Sequence, residues 1–331
     1  MNRRSQGFDK KLDVARVQEE LVSAVKQGDE ALARELVFQL GASPRRVRAV
    51  LEAMLEEPAA LVRQAAVFGL GEVGGKASVR RLEQQLALEE ARRDYDGEAV
   101  AEDITRALGR IEETSARASL VRKLERLVAS KPERSAINEL TCALWRKRHP
   151  DLIATVRKSL EALSLPAPHG LHGLLMLLEK SPEELASWAR APSVPPEDKT
   201  RVLVLLQEEL PDPLVPVLPA FISTAHALLE LAIQQQGEAA YYCERLLSLI
   251  LLYRERLLHT FEEETRSLLH SVSRGLVGSV SSNCSIRAAV LLKFVGRPED
   301  AELLAQHRPH DAVVAKVFDD AAQALREARK H

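Results

Sequence analysis

Aromatic side chains are scarce, 4% of the residues, and no alternating Val/Ile/Thr runs stand between hairpin turns. A sheet-based fold therefore finds no support. The three cysteines, Cys142, Cys243 and Cys284, are far apart and form no CxxC pair. That excludes the common zinc and redox motifs and leaves buried, reduced thiols. The N-terminus, MNRRSQGFDKKLDVARV, is charged and lacks an apolar core, so no secretory signal is expected. The most apolar run, Leu246 to Tyr253, is far shorter than the roughly 20 residues of a membrane span. A soluble cytoplasmic protein is the expectation. The formal net charge of -2 favours no class of partner.

Chemistry-bearing motifs are missing too. GxxxxGK[ST], GxSxG and HExxH do not occur, and the GxGxxG spacing of Gly69, Gly71 and Gly74 lacks the preceding strand of a phosphate loop and reads as a turn. His169 and His172 stand three apart at a helix start, but no third ligand lies near them in sequence. His307 and His310 repeat the spacing across a Pro-bearing turn and read as exposed loop residues. Paired carboxylates such as Glu56-Glu57 and Glu89-Glu90 read as solvated helix faces. No catalytic residue, cofactor or metal is expected.

Leu, Ala, Val, Glu and Arg dominate what is present, and all of them accept the helix well. Leu-Gly closes helical patterns at Leu40-Gly41, Leu70-Gly71 and Leu108-Gly109. Between them lie further amphipathic helices. In RRVRAVLEAMLEE, Val47, Val50, Leu51, Met54 and Leu55 form one stripe, with Ser43 as the expected cap and Pro44 in the first turn. These units read as helix, turn, helix, with a period in the high thirties. Such pairs cannot bury their apolar stripes alone, so neighbours must stack. The expectation is an all-α fold, an α-solenoid of antiparallel helix pairs.

The stretch LVRQAAVFGLGEVGG, Leu61 to Gly75, carries a resemblance. Glu57-Pro58, Val62-Arg63, Ala65-Ala66 and Leu70-Gly71 stand where HEAT repeats place an acidic residue and Pro, an apolar residue and Arg, small residues, and Leu-Gly. SIRAAVLLKFVG repeats the pattern with Ile286-Arg287, and Val100 to Gly109 repeats it with Ala101 in place of the Arg. The chain thus resembles the HEAT and HEAT-like (phycobilisome-lyase-type) helical solenoids over about half its length. Arg63, Gly71, Gly109 and Arg287 are then structural. The Arg reaches carbonyls or a carboxylate of a neighbouring repeat, and the Gly permits a left-handed turn that stops the helix.

Helices continue downstream, among them a capped one at Ser181, Pro182 and Glu184. Proline clusters at 191–200 and 210–219. The expected organisation is N-terminal HEAT-like repeats over 1–190, an irregular Pro-rich connection over 191–219, and C-terminal repeats over 220–331.

Charge is unevenly spread. Residues 114–160 hold eleven basic and four acidic residues, whereas 161–331 hold 17 basic and 23 acidic. Arg122, Lys123, Arg126, Trp145, Arg146, Lys147 and Arg148 are the candidate partner-binding residues. WRKRH suits the C-terminal end of a helix dipole, and could equally meet an anionic partner with Trp145 as a stacking face. Resemblance to HEAT proteins implies a non-catalytic scaffold or adaptor whose concave face binds another protein. The alternative is nucleic-acid binding through 114–160, as in the HEAT-like DNA glycosylases. A third reading, a bilin-lyase subunit, rests on repeat resemblance alone.

Overall fold

A computed structural model describes residues 4–130, 134–163 and 170–328. Every regular element among them is helical. Two compact units divide at Ser164 and Leu165. The first holds α1 (Arg4–Gln27), α2 (Glu30–Gln39), α3 (Pro44–Met54), α4 (Ala60–Val73), α5 (Gly75–Arg92), α6 (Tyr95–Arg110), α7 (Thr114–Ser130), α8 (Arg134–Arg146) and α9 (Leu152–Ala162). The second holds α10 (Gly170–Glu179), α11 (Pro182–Arg190), α12 (Pro196–Glu208), α13 (Leu218–Ala227), α14 (Leu229–Ile233) and α15 (Ala239–Leu252). It continues through α16 (Arg254–Leu257), α17 (Glu263–Leu276), α18 (Ser282–Val295), α19 (Asp300–Gln306) and α20 (Ala312–Ala328). No helix among the described residues is long and apolar enough to cross a membrane.

Local start signals act as the sequence indicates. Ser43 accepts from the Arg46 N–H, with Pro44 in the first turn of α3. Ser181 and Glu184 form a reciprocal capping box at α11. Each such cap contributes about 1 kcal/mol.

In the first unit α3 lies on α4, α5 on α6, and α7 on α8. Next-but-one helices also touch at α4–α6, α6–α8, α5–α7 and α7–α9. In the second unit α10, α12, α15, α18 and α20 succeed one another in contact, as do α11, α13 and α17. The cores are aliphatic. Ala65, Ala66, Val67 and Leu70 of α4 and Val100, Ile104 and Leu108 of α6 are wholly buried.

Two glycines have a different task from the one their position suggests. Gly71 and Gly109 lie within α4 and α6 and do not end them. A Cβ on Gly71 would come within 3.2 Å of the Ala107 Cβ, and one on Gly109 within 3.0 Å of the Ala143 Cα and Cβ. Their missing side chains let α4 approach α6, and α6 approach α8. The left-handed residues that stop α4 are the next pair, Gly74 (φ 64°) and Gly75 (φ 78°).

The proline-rich stretch 191–219 falls inside the second unit and is largely helical. Pro196 takes the first position of α12, where a missing N–H costs nothing, and a 3-10 helix spans Asp212–Val217. Proline there marks helix starts.

Candidate functional site

Arg63 lies in the first turn of α4 and reaches back to the turn that precedes it. Its Nη1 donates to the carbonyls of Glu57 (3.1 Å) and Pro58 (2.6 Å), which is why a Glu-Pro turn and this Arg belong together. Nε and Nη2 reach both carboxylate oxygens of Glu89 on α5, at 2.8 and 3.2 Å. Gln85 and Arg92 also hold Glu89. Arg63 and Glu89 are 1% and 0% exposed, so the pair is a buried polar seam.

Arg287 has another setting. It is 30% exposed and reaches back to α15, through the Ser248 hydroxyl and, at 3.5 Å, Glu244. The buried acid on the following helix, Asp300, is already held by His270 and Arg274. At Ala101, where the repeat pattern lacks its Arg, a cation arrives from α7 instead. Lys123 lies 2.5 Å from the Thr105 hydroxyl and 3.5 Å from the Ala101 carbonyl. Burial pushes the Lys123 ammonium down from its usual range, against the opposing pull of Glu90.

The other residues of the basic segment are mostly engaged by neighbouring helices. Arg122 pairs with Glu83 of α5 at 2.6 Å, Arg126 with Glu90 at 3.2 Å, and Arg117 with Asp151 at 3.8 Å. Trp145 is 1% exposed and belongs to the core, so its indole is closed to a stacking base. Arg148 lies 4.8 Å over that ring and donates to the Trp145 carbonyl at 3.3 Å. Arg146 and Lys147 are half-buried and engaged by nearby groups. Lys131 and His169 lie outside the described residues; His172 sits on α10, and His307 and His310 are exposed. A sequence signal for the burial of Trp145 existed, because Ile137, Leu140, Leu144 and Trp145 share one helical stripe.

A cleft of about 380 Å³ opens on the α4–α6 side of the first unit, bordered by the end of α1 and the start of α2. Leu61, 41% exposed, and Phe68 give it an apolar floor. Around them the charges are crossed: Arg34 with Glu72 at 2.8 Å, Arg110 with Glu30 at 2.9 Å, and Arg106 with Asp103 and, on α8, Glu139 at 3.2 Å. Burial raises the Asp103 carboxyl above its usual range, although Arg106 and a hydrogen bond with Gln64 oppose it. Burial works against the charge on Arg106, but Glu139 and Asp103 outweigh it and raise the guanidinium further. Lys26 lines the same cleft and has no ion pair among the described residues. Sequence reading missed this cleft because its walls come from four separate helices.

Among the described residues no group of His, Cys, Asp and Glu could hold a metal. No disulfide joins the cysteines among the described residues; Cys243 and Cys284 are buried, and burial raises both thiols, which suppresses the reactive thiolate. Ser267 and His270 lie in one cleft of the second unit, but among the described residues Ser267 makes no hydrogen bond that would activate it. No family model, curated protein or solved structure matches the chain.

Proposed function

We propose that the chain is a non-catalytic scaffold or adaptor that binds another protein on the faces of HEAT-like helical arrays. Successive contacts, α4–α6–α8 in the first unit and α12–α15–α18 in the second, support an α-solenoid reading of each unit. Short turns between packed neighbours favour antiparallel pairs. Side-chain contacts also recur at the repeat spacing. Their separations are 38 residues for Arg34–Glu72, 39 for Arg122–Glu83, 36 for Arg126–Glu90, 38 for Gln207–Arg245 and 39 for Arg287–Ser248. Stacked repeats present a continuous surface to a partner.

The observation that carries the functional reading is the cleft over α4 and α6. It combines the exposed Leu61 and the half-buried Phe68 with charges of both signs, a mixture that suits a protein ligand better than a phosphate backbone. The nucleic-acid alternative needs open cations along 114–160. Arg122, Lys123 and Arg126 are engaged by their neighbours, and Trp145 is buried.

The test is affinity purification of the full chain followed by quantification of what accompanies it. One protein is expected in stoichiometric amount. The double variant Leu61→Asp/Lys26→Glu alters two cleft residues without removing a buried contact, and should lose that partner while keeping its helical circular dichroism. Retention of the partner by this variant, or recovery of nucleic acid that salt releases steeply, would overturn the proposal.

A further inference from the structure

A second cleft, of about 490 Å³, lies in the second unit where the α16–α17 and α18–α19 turns meet. Its rigid support is Asp300, wholly buried at the start of α19. One Asp300 oxygen accepts from His270 Nε2 at 2.7 Å and from the Arg297 N–H at 2.7 Å, and the other takes Arg274. Burial would raise this carboxyl, but those donors outweigh it and hold it below its usual range. The α18–α19 turn is thereby tied to α17 through a fixed anion.

The walls of the cleft are of two kinds. Leu258, Phe294 and Val295 give an apolar side. Phe294 is 50% exposed, with the Arg254 guanidinium 5.7 Å from its ring centre, and Leu252, at the end of the neighbouring α15, is 60% exposed. Its polar lining is His259, Glu263, Arg266, Ser267, His270 and Arg297. Arg266 and Arg297 are exposed and have no ion pair among the described residues, whereas Arg254 and Arg256 nearby are paired with Glu255 and Asp212. Residues 161–331 carry six more acidic than basic groups (23 against 17). Two open guanidiniums beside exposed apolar surface therefore run against the charge of their surroundings.

We infer that this cleft docks an acidic segment of a partner protein, which sets an apolar side chain against Leu258 and Phe294 and flanking carboxylates on Arg266 and Arg297. The inference rests on the scaffold reading and names one of its surfaces and the chemistry of its ligand. A nucleic-acid strand fits less well, because Glu263 lines the cleft, Glu262 and Glu264 flank it at the start of α17, and together they would repel a continuous polyanion. A free phosphate would leave the apolar wall uncovered. A peptide can turn its carboxylates towards the two arginines and away from the glutamates, and complementary charge of this kind sets specificity and association rate.

The experiment pans a displayed library of short randomised peptides against the full chain, with Arg266→Glu/Arg297→Glu as the counter-selecting variant. Both substitutions are on exposed side chains, and the Arg297 N–H bond to Asp300 is kept. Peptides retained by the wild type and lost on the variant should carry at least two carboxylates flanking Leu, Phe or Ile. The best of them, followed by fluorescence anisotropy, should bind the variant at least about tenfold more weakly. It should also weaken with Phe294→Ala and resist displacement by excess inorganic phosphate. Absence of peptides that discriminate wild type from variant, enrichment of basic peptides, or displacement by phosphate would overturn the inference. If Leu61→Asp/Lys26→Glu still abolishes partner capture while no acidic peptide is selected, only this inference falls. If capture persists in both double variants, the scaffold reading falls with it.

Discussion

Glu89→Ala should destabilise the first unit by about 3–5 kcal/mol, the usual cost of leaving one member of a buried ion pair without its partner. Glu89 is wholly buried and is the acceptor for Arg63, Gln85 and Arg92. Its loss strands the Arg63 guanidinium, 1% exposed, with only the Glu57 and Pro58 carbonyls to solvate it. Unfolding can be followed by the fluorescence of Trp145 in a Trp188→Phe background, since each unit contains one of the two tryptophans. The melting transition should fall on the order of 10 °C. Removing both charges, with Arg63→Met added to Glu89→Leu, should recover much of the loss, because apolar replacement of a buried pair is often nearly neutral. A Glu89→Ala protein within about 0.5 kcal/mol of wild type would show that the seam is not part of the packing.

Trp145→Ala should cost a similar amount, about 3–5 kcal/mol, as expected for emptying a buried indole site. Its indole fills the end of α8, the ring is covered, and Arg148 lies against it. A tryptophan that served as an open stacking platform would behave differently. Its removal would leave stability within about 0.5 kcal/mol and would weaken nucleic-acid binding instead. Denaturant unfolding of the variant by circular dichroism separates these outcomes.

Much of the architecture can be read from the residues alone, and the failures have physical causes. Ser43-Pro44 and Ser181 to Glu184 mark helix starts because capping is local, decided within four residues. The glycines of the Leu-Gly pairs are ambiguous for a simple reason. A missing Cβ serves a left-handed stop and a close helix contact equally, and only the position of α6 shows that Gly71 serves the second. Pro195-Pro196 reads as a break, yet proline is as much at home at a helix start, where α12 begins. The charges of 114–160 look open in sequence because their partners stand 36 and 39 residues away, on α5. The apolar stripe through Trp145 was available as a warning, whereas the cleft at Arg266 and Arg297 was not. It forms where two turns meet around Asp300, a contact between α17 and α19 that no short-range pattern reports.

The claim beneath all of this is that helices one repeat apart lie side by side within each unit. Thiol cross-linking tests it most directly. Glu90→Cys with Arg126→Cys, and Ser248→Cys with Arg287→Cys, place new thiols at sites that touch across one repeat. In a background without the half-buried Cys142, a short bifunctional maleimide should join both pairs in high yield within single chains, as read by peptide mass spectrometry. Failure of both pairs to join in the folded protein would contradict the stacked arrangement on which the proposed binding surfaces depend.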